Sequence, residues 1–180
     1  MTLELRAGPY AFALLLAAVL GRPAAAPAAV DFQNFDYAQV PCSANVPAPA
    51  VVRKGVYSYF DKEQGTGFDV AVKSVTPGSL HPGTHQAVVI LACHFPSGGV
   101  AGAYVYNVHP NAAVLLGSVG GASWGGDWGS GPSSIHVRFA KQFLYVDTCS
   151  NQNCTTREVR TYALRAGKLV KVYVLSHKVR

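Results

Sequence analysis

The pattern of apolar and polar positions is most pronounced between Ala87 and His94. There the chain reads Ala-Val-Val-Ile-Leu-Ala-Cys-His, apolar at seven of eight positions. A strand with one wet face alternates; this one does not. Ala87, Val89, Leu91 and Cys93 occupy one parity, and Val88, Ile90 and Ala92 the other. A run this short, rich in β-branched side chains and apolar on both parities, predicts a strand buried on two faces. It is expected at the centre of the sheet, with the other strands as covering layers.

The flanking segments carry weaker alternation at near-regular spacing. Val51–Phe60 sets Val52, Val56 and Phe60 against Arg53, Tyr57 and Tyr59, and Phe68–Val75 sets Phe68, Val70 and Val72 against Asp69 and Lys73. Between them Asp61–Gly67 is a polar, glycine-bearing turn, and Thr76–Thr84 contains two Pro-Gly turns and predicts a loop. A Gly-rich turn at Pro96–Gly99 follows the central strand. Ala101–Val108 and Ala112–Val119 form a hairpin around His109-Pro110-Asn111, and Ile135–Ala140 pairs with Phe143–Thr148. The last hairpin, Val159–Leu164 with Leu169–Leu175, fixes its own register. With Ala166-Gly167 as the turn, Arg165 faces Lys168, Ala163 faces Val170, Thr161 faces Val172 and Val159 faces Val174. Tyr162 then meets Lys171, and Arg160 meets Tyr173, on the opposite face.

About eight short strands joined by hairpin-length loops predict an all-β fold: a single antiparallel meander forming a sandwich or a partly closed barrel. No segment has a helical period, and no motif repeats at a fixed spacing. Ala29–Ala50, with Pro41, Pro47 and Pro49, reads as an extended N-terminal segment whose Phe32, Phe35 and Tyr37 pack across the sheet. The β domain itself is expected over residues 51–180.

The first 28 residues have a different character. Ala11–Leu20 is an apolar run of signal-peptide length, too short to span a bilayer comfortably, and Ala26-Pro27-Ala28 supplies a small-x-small cleavage pattern. Residues 1–28 therefore read as a signal peptide cut after Ala28, with no transmembrane anchor after processing. Removing Glu4, Arg6 and Arg22 changes the net charge from +6 to +5. That mild positive charge suits anionic envelope polymers and lacks the dense basic footprint of a nucleic-acid binder. The expected location is secreted or periplasmic.

All four cysteines, Cys42, Cys93, Cys149 and Cys154, lie in the mature part, which argues for two disulfides in an exported chain. Of three pairings, Cys149–Cys154 closes a polar turn easily and leaves Cys42–Cys93. Zinc is disfavoured because paired CxxC motifs are missing. A copper site with an axial methionine is excluded, since Met1 is the only methionine and leaves with the leader. No metal or cofactor is expected.

Candidate chemistry is sparse. Gly121-Ala122-Ser123-Trp124-Gly125 fits G-x-S-x-G, but the following Gly126–Pro132 run will not open the helix that a nucleophile elbow needs. His81 and His85 are separated by Pro82-Gly83, and His85 and His94 bracket the central strand with opposite parity. The strongest binding candidate is the segment Gly120–Ser134, read as an irregular loop. It holds Trp124 and Trp128 with Asp127 between them, a set suited to stacking on a sugar ring and bonding its hydroxyls. The competing reading has both indoles capping an open end of the core. The basic C-terminal hairpin (Arg157, Arg160, Arg165, Lys168, Lys171, Lys178, Arg180) reads as protection of a sheet edge in preference to a polymer-binding strip.

Several features together resemble uncharacterised exported β-domain proteins of bacteria, loosely of the LppP/LprE lipoprotein kind. They are Pro41-Cys42 before the first strand, the buried Ala87–Cys93, Tyr104–Tyr106 before Val114–Leu116, and the closing Tyr162…Gly167-Lys168-Leu169-Val170. This chain lacks a lipid-acceptor cysteine, and its Pro77–Thr84 turn has no carboxylate for calcium. The resemblance implies no activity at any residue. The sequence thus points to an exported non-catalytic envelope or extracellular domain that binds or scaffolds, with a glycan as a candidate ligand. The alternative is a secreted hydrolase with a site assembled from loops, and a third is an inhibitor or host-interaction factor.

Overall fold

A computed structural model of the chain describes residues 30–125, 134–149 and 154–178. After a single turn of 3-10 helix at Phe32–Asn34 come eleven strands among the described residues: β1 (Asp36–Tyr37), β2 (Ala50–Val51), β3 (Val56–Asp61), β4 (Thr66–Gly78), β5 (Gln86–Phe95), β6 (Gly98–His109), β7 (Ala112–Gly125), β8 (His136–Ala140), β9 (Phe143–Cys149), β10 (Thr156–Arg165) and β11 (Lys168–Lys178). All pairings are antiparallel. One sheet has the order β3-β4-β5-β6-β7, a second β11-β10-β9-β8, and β1-β2 is a short ribbon. The expected single meander is therefore two successive meanders packed as a sandwich, and no sheet closes into a barrel. The break falls between β7 and β8, where the chain changes sheet.

β5 is the middle strand of the larger sheet, and Gln86–Cys93 is buried throughout. Its two parities feed two cores. Ala87, Val89, Leu91 and Cys93 join Tyr104 and Tyr106 of β6 and are covered by Phe32, Tyr37, Val40, Cys42, Val46 and Val52 from the N-terminal segment. Val88, Ile90 and Ala92 join Ala101, Ala103, Val105 and Val119 and are covered by Leu144, Val146 and Tyr162 of the second sheet. Both layers are needed because every apolar residue on a doubly buried strand must meet a partner. The N-terminal cover is pinned aromatically: Phe32, Phe35 and Tyr37 all pack their rings on Tyr106. The Tyr37 hydroxyl donates to the Phe32 carbonyl at 2.7 Å. The cover is also pinned covalently by the Cys42–Cys93 disulfide. On the other side the Tyr162 hydroxyl donates to the Val119 carbonyl at 2.8 Å, a hydrogen bond between sheets. Close approach decides one glycine: a Cβ at Gly102 would lie 2.9 Å from the Tyr104 ring, which covers that position.

Three strand boundaries differ from expectation. Val51–Phe60 is not continuous, because Lys54 and Gly55 adopt φ of 53° and 82° and turn the chain between β2 and β3. β4 continues through Pro77-Gly78 into the expected loop. β3 pairs only as far as Ala71, so beyond it β4 is an edge and tolerates a proline that lacks an N–H. β7 extends to Gly125, so residues 120–125 of the expected irregular loop are strand, with Gly120, Gly121 and Gly125 opposite Ala103, Gly102 and Gly98. The final hairpin has the expected pairs from Arg165↔Lys168 to Tyr162↔Lys171. A bulge then shifts the register, so Thr161 meets Tyr173 and Val159 meets Leu175.

Candidate functional site

The larger sheet is not covered evenly. At the end where β5 finishes, a cleft of about 540 Å³ opens beside β3 and β4 and is lined by Ser58, Phe60, Asp69, His94 and Phe95 among others. Register explains the gathering. Ser58 lies opposite Asp69, Asp69 opposite His94, His94 opposite Gly99, and Gly99 opposite Trp124. One row thus crosses all five strands. At roughly 4.8 Å per strand, Asp69 and Trp124 are about 14 Å apart along it. Ser58, Asp69 and His94 share the face of Val88, Ile90 and Ala92, and Ser58 and Asp69 are exposed there.

The polar members are tightly organised. The Ser58 hydroxyl donates to Asp69 Oδ1 at 2.6 Å. His94 is half-buried; burial depresses its pKa below the usual histidine value, Lys73 pushes in the same direction, and Asp69 opposes both. Burial thus disfavours the charged imidazole beside the hydroxyl–carboxylate pair. Phe60 leaves 60% of its surface exposed at the rim, while Phe68 and Phe95 pack at 6.0 Å behind it. An exposed ring next to a carboxylate, a hydroxyl and an imidazole offers an apolar face and several hydrogen-bonding groups together. The order along the row is Ser, Asp, His. The Ser58 hydroxyl donates to the carboxylate between it and His94.

Of the sequence-chosen binding residues, Trp124 lies in β7 at the end of this row, while Asp127 and Trp128 fall outside the described residues. Ser123 is an exposed position in the β6–β7 ladder opposite Val100, and the strand continues past it, so no strand–turn–helix elbow forms at that serine. Both expected disulfides are present. His81 and His85 are exposed and lie in the β4–β5 connection. Among the described residues no group of three or more histidine, cysteine or acidic side chains is placed to hold a metal ion. No helix among them is long and apolar enough to cross a membrane.

Ser58 and Asp69 were not singled out by the sequence. The signal existed: a hairpin centred on Asp61–Thr66 places Ser58 opposite Asp69 by simple counting. The Asp69–His94 neighbourhood is less accessible, since the β4–β5 register contains a bulge between Val72 and Ser74.

A second hollow of about 590 Å³ lies beside the N-terminal cover, lined by Val30, Phe32, Pro77, His85, Gln86 and Val108 among others. Its one deeply buried polar side chain is fully engaged. Gln86 accepts from the Leu80 N–H at 2.7 Å and the Thr84 hydroxyl at 3.2 Å, and donates to Asn107 Oδ1 at 2.9 Å. That network fastens the β4–β5 loop and presents little to a ligand.

Comparison with family models, with curated proteins and with solved structures found no match.

Proposed function

We propose that this chain is an exported, non-catalytic binding module, and that the cleft over the Ser58–Asp69–His94 row takes a neutral, hydroxyl-rich ligand such as a glycan. The observation that carries the reading is the Ser58–Asp69 hydrogen bond at 2.6 Å beside the exposed Phe60 ring. A sugar needs both parts: a ring for its CH face, and a carboxylate with neighbouring donors for its hydroxyls. The two disulfides support folding in an oxidising compartment, in line with export.

The test is calorimetric titration of the protein with a panel of neutral oligosaccharides, repeated on Asp69→Ala and Phe60→Ala. Losing a hydrogen bond to a charged group costs about 1.5–3 kcal/mol, so Asp69→Ala is expected to weaken binding by about 10- to 100-fold. Phe60→Ala should weaken it without altering the melting temperature, because the ring is already exposed. Saturable binding that neither variant changes would sink the cleft assignment. Cleavage of the ligand, abolished by Ser123→Ala or Asp127→Ala, would replace the binding module with a hydrolase.

A further inference from the structure

The second sheet ends in β11, eleven residues long, which pairs with β10 on one side only. Among the described residues nothing pairs with its outer edge, and such a row of backbone donors and acceptors is a template for another strand. Four consecutive side chains on this edge are exposed: Val172 by 36%, Tyr173 by 59%, Val174 by 41% and Leu175 by 49%. Two of the other edge strands are shorter, β8 with five residues and β3 with six, while the edge strand of the larger sheet, β7, contacts β9 and β11.

The charges around this apolar block are of one sign. Lys168, Lys171 and Lys178 are exposed on β11, and Arg165 is exposed opposite Lys168. None of the four forms an ion pair among the described residues. The carboxylates nearby are already engaged, Glu158 with Arg160 and Asp147 with Arg157. β11 itself carries no carboxylate.

We propose that β11 is a docking edge for an extended acidic peptide, which adds a strand to the second sheet. The peptide would place apolar side chains against Val172–Leu175 and carboxylates near Lys168, Lys171 and Lys178. A second copy of this chain fits less well. Antiparallel self-pairing centred on Tyr173 sets Lys168 opposite Lys178 at both ends, and like charges directly opposite destabilise a ladder. The proposal is independent of the cleft, which lies on the other sheet.

The probe is a labelled peptide of β11's length alternating valine and glutamate, titrated by fluorescence anisotropy against the full chain. Saturable binding is expected. It should be lost when alternate peptide nitrogens are methylated, since main-chain pairing then fails. The Lys168→Glu, Lys171→Glu double variant should bind roughly tenfold more weakly with unchanged melting temperature. The proposal is overturned if the methylated peptide, a valine–lysine peptide or polyglutamate of the same length binds as tightly as the probe. It is equally overturned if the protein sediments as a dimer that the probe does not dissociate. The methylation comparison uses the unaltered protein, so it decides the question even if the double variant misfolds.

Discussion

Removing the Cys42–Cys93 disulfide should cost far more stability than removing Cys149–Cys154, although both are single bonds in one protein. The first joins residues 51 apart and the second residues 5 apart. In the loop-entropy model, closing loops of those sizes restricts the unfolded chain by about 4 kcal/mol and about 2 kcal/mol respectively. The structure widens the gap. Cys93 is fully buried and Cys42 is 6% exposed, so Cys42→Ala, Cys93→Ala also leaves a small void between the N-terminal cover and β5. Cys149→Ala, Cys154→Ala frees a pair that is only half-buried. At 2–4 °C per kcal/mol for a domain of this size, the first double variant should melt roughly 8–16 °C lower and the second about 4–8 °C lower. Urea unfolding followed by far-ultraviolet circular dichroism gives the free energies directly. Equal losses, or a larger loss from the Cys149–Cys154 variant, would refute the argument that the long bridge holds the cover on the sheet.

Four further outcomes follow from particular contacts. Tyr37→Phe should destabilise by about 0.5–1.5 kcal/mol, because it removes a buried hydrogen bond to the Phe32 carbonyl. Tyr106→Phe should be neutral or stabilising, since the buried Tyr106 hydroxyl has no hydrogen-bond partner among the described residues; comparing the two urea midpoints checks both. Gly78→Ala should destabilise by about 1–3 kcal/mol, because the new Cβ would run into the Phe139 ring of the facing sheet. For His94, whose folded pKa lies below its unfolded value, stability is fully present above the unfolded value of about 6.5 and is lost as pH falls through that value toward the folded pKa. The unfolded chain takes up a proton there that the folded one resists. A melting temperature that declines below pH 6.5 in the parent protein, and less steeply in His94→Gln, is the expected result; identical profiles would refute it.

Much of the fold was legible because β5 is apolar on both parities and therefore requires two covering layers. The last hairpin was legible near its turn, where Ala166-Gly167 sets the register, and illegible beyond Tyr162, where a bulge shifts it by one residue. Pattern alone does not mark a bulge when both neighbouring registers bring β-branched residues together. The division into two sheets was also hidden, since hairpin-length spacing is the same within a sheet and between sheets. The Ser58–Asp69–His94 row was invisible for a related reason. Its members come from three strands, are individually ordinary, and meet only through pairings fixed by the buried residues between them.

The N-terminal cover has a consequence for the order of folding. Both meanders are built from neighbours in sequence, so their strands zip with short loops and little entropy to overcome. The cover is different: Phe35 reaches Tyr106 and Cys42 reaches Cys93 across long stretches of chain. Its docking surface does not exist until β5 and β6 have paired. The segment that leads the described chain therefore depends for its docking surface on strands that follow it in sequence. The Cys42–Cys93 bridge thus ties together parts of the chain that only the paired β5 and β6 bring into one layer, whereas Cys149 and Cys154, five residues apart, are neighbours before any strand has formed.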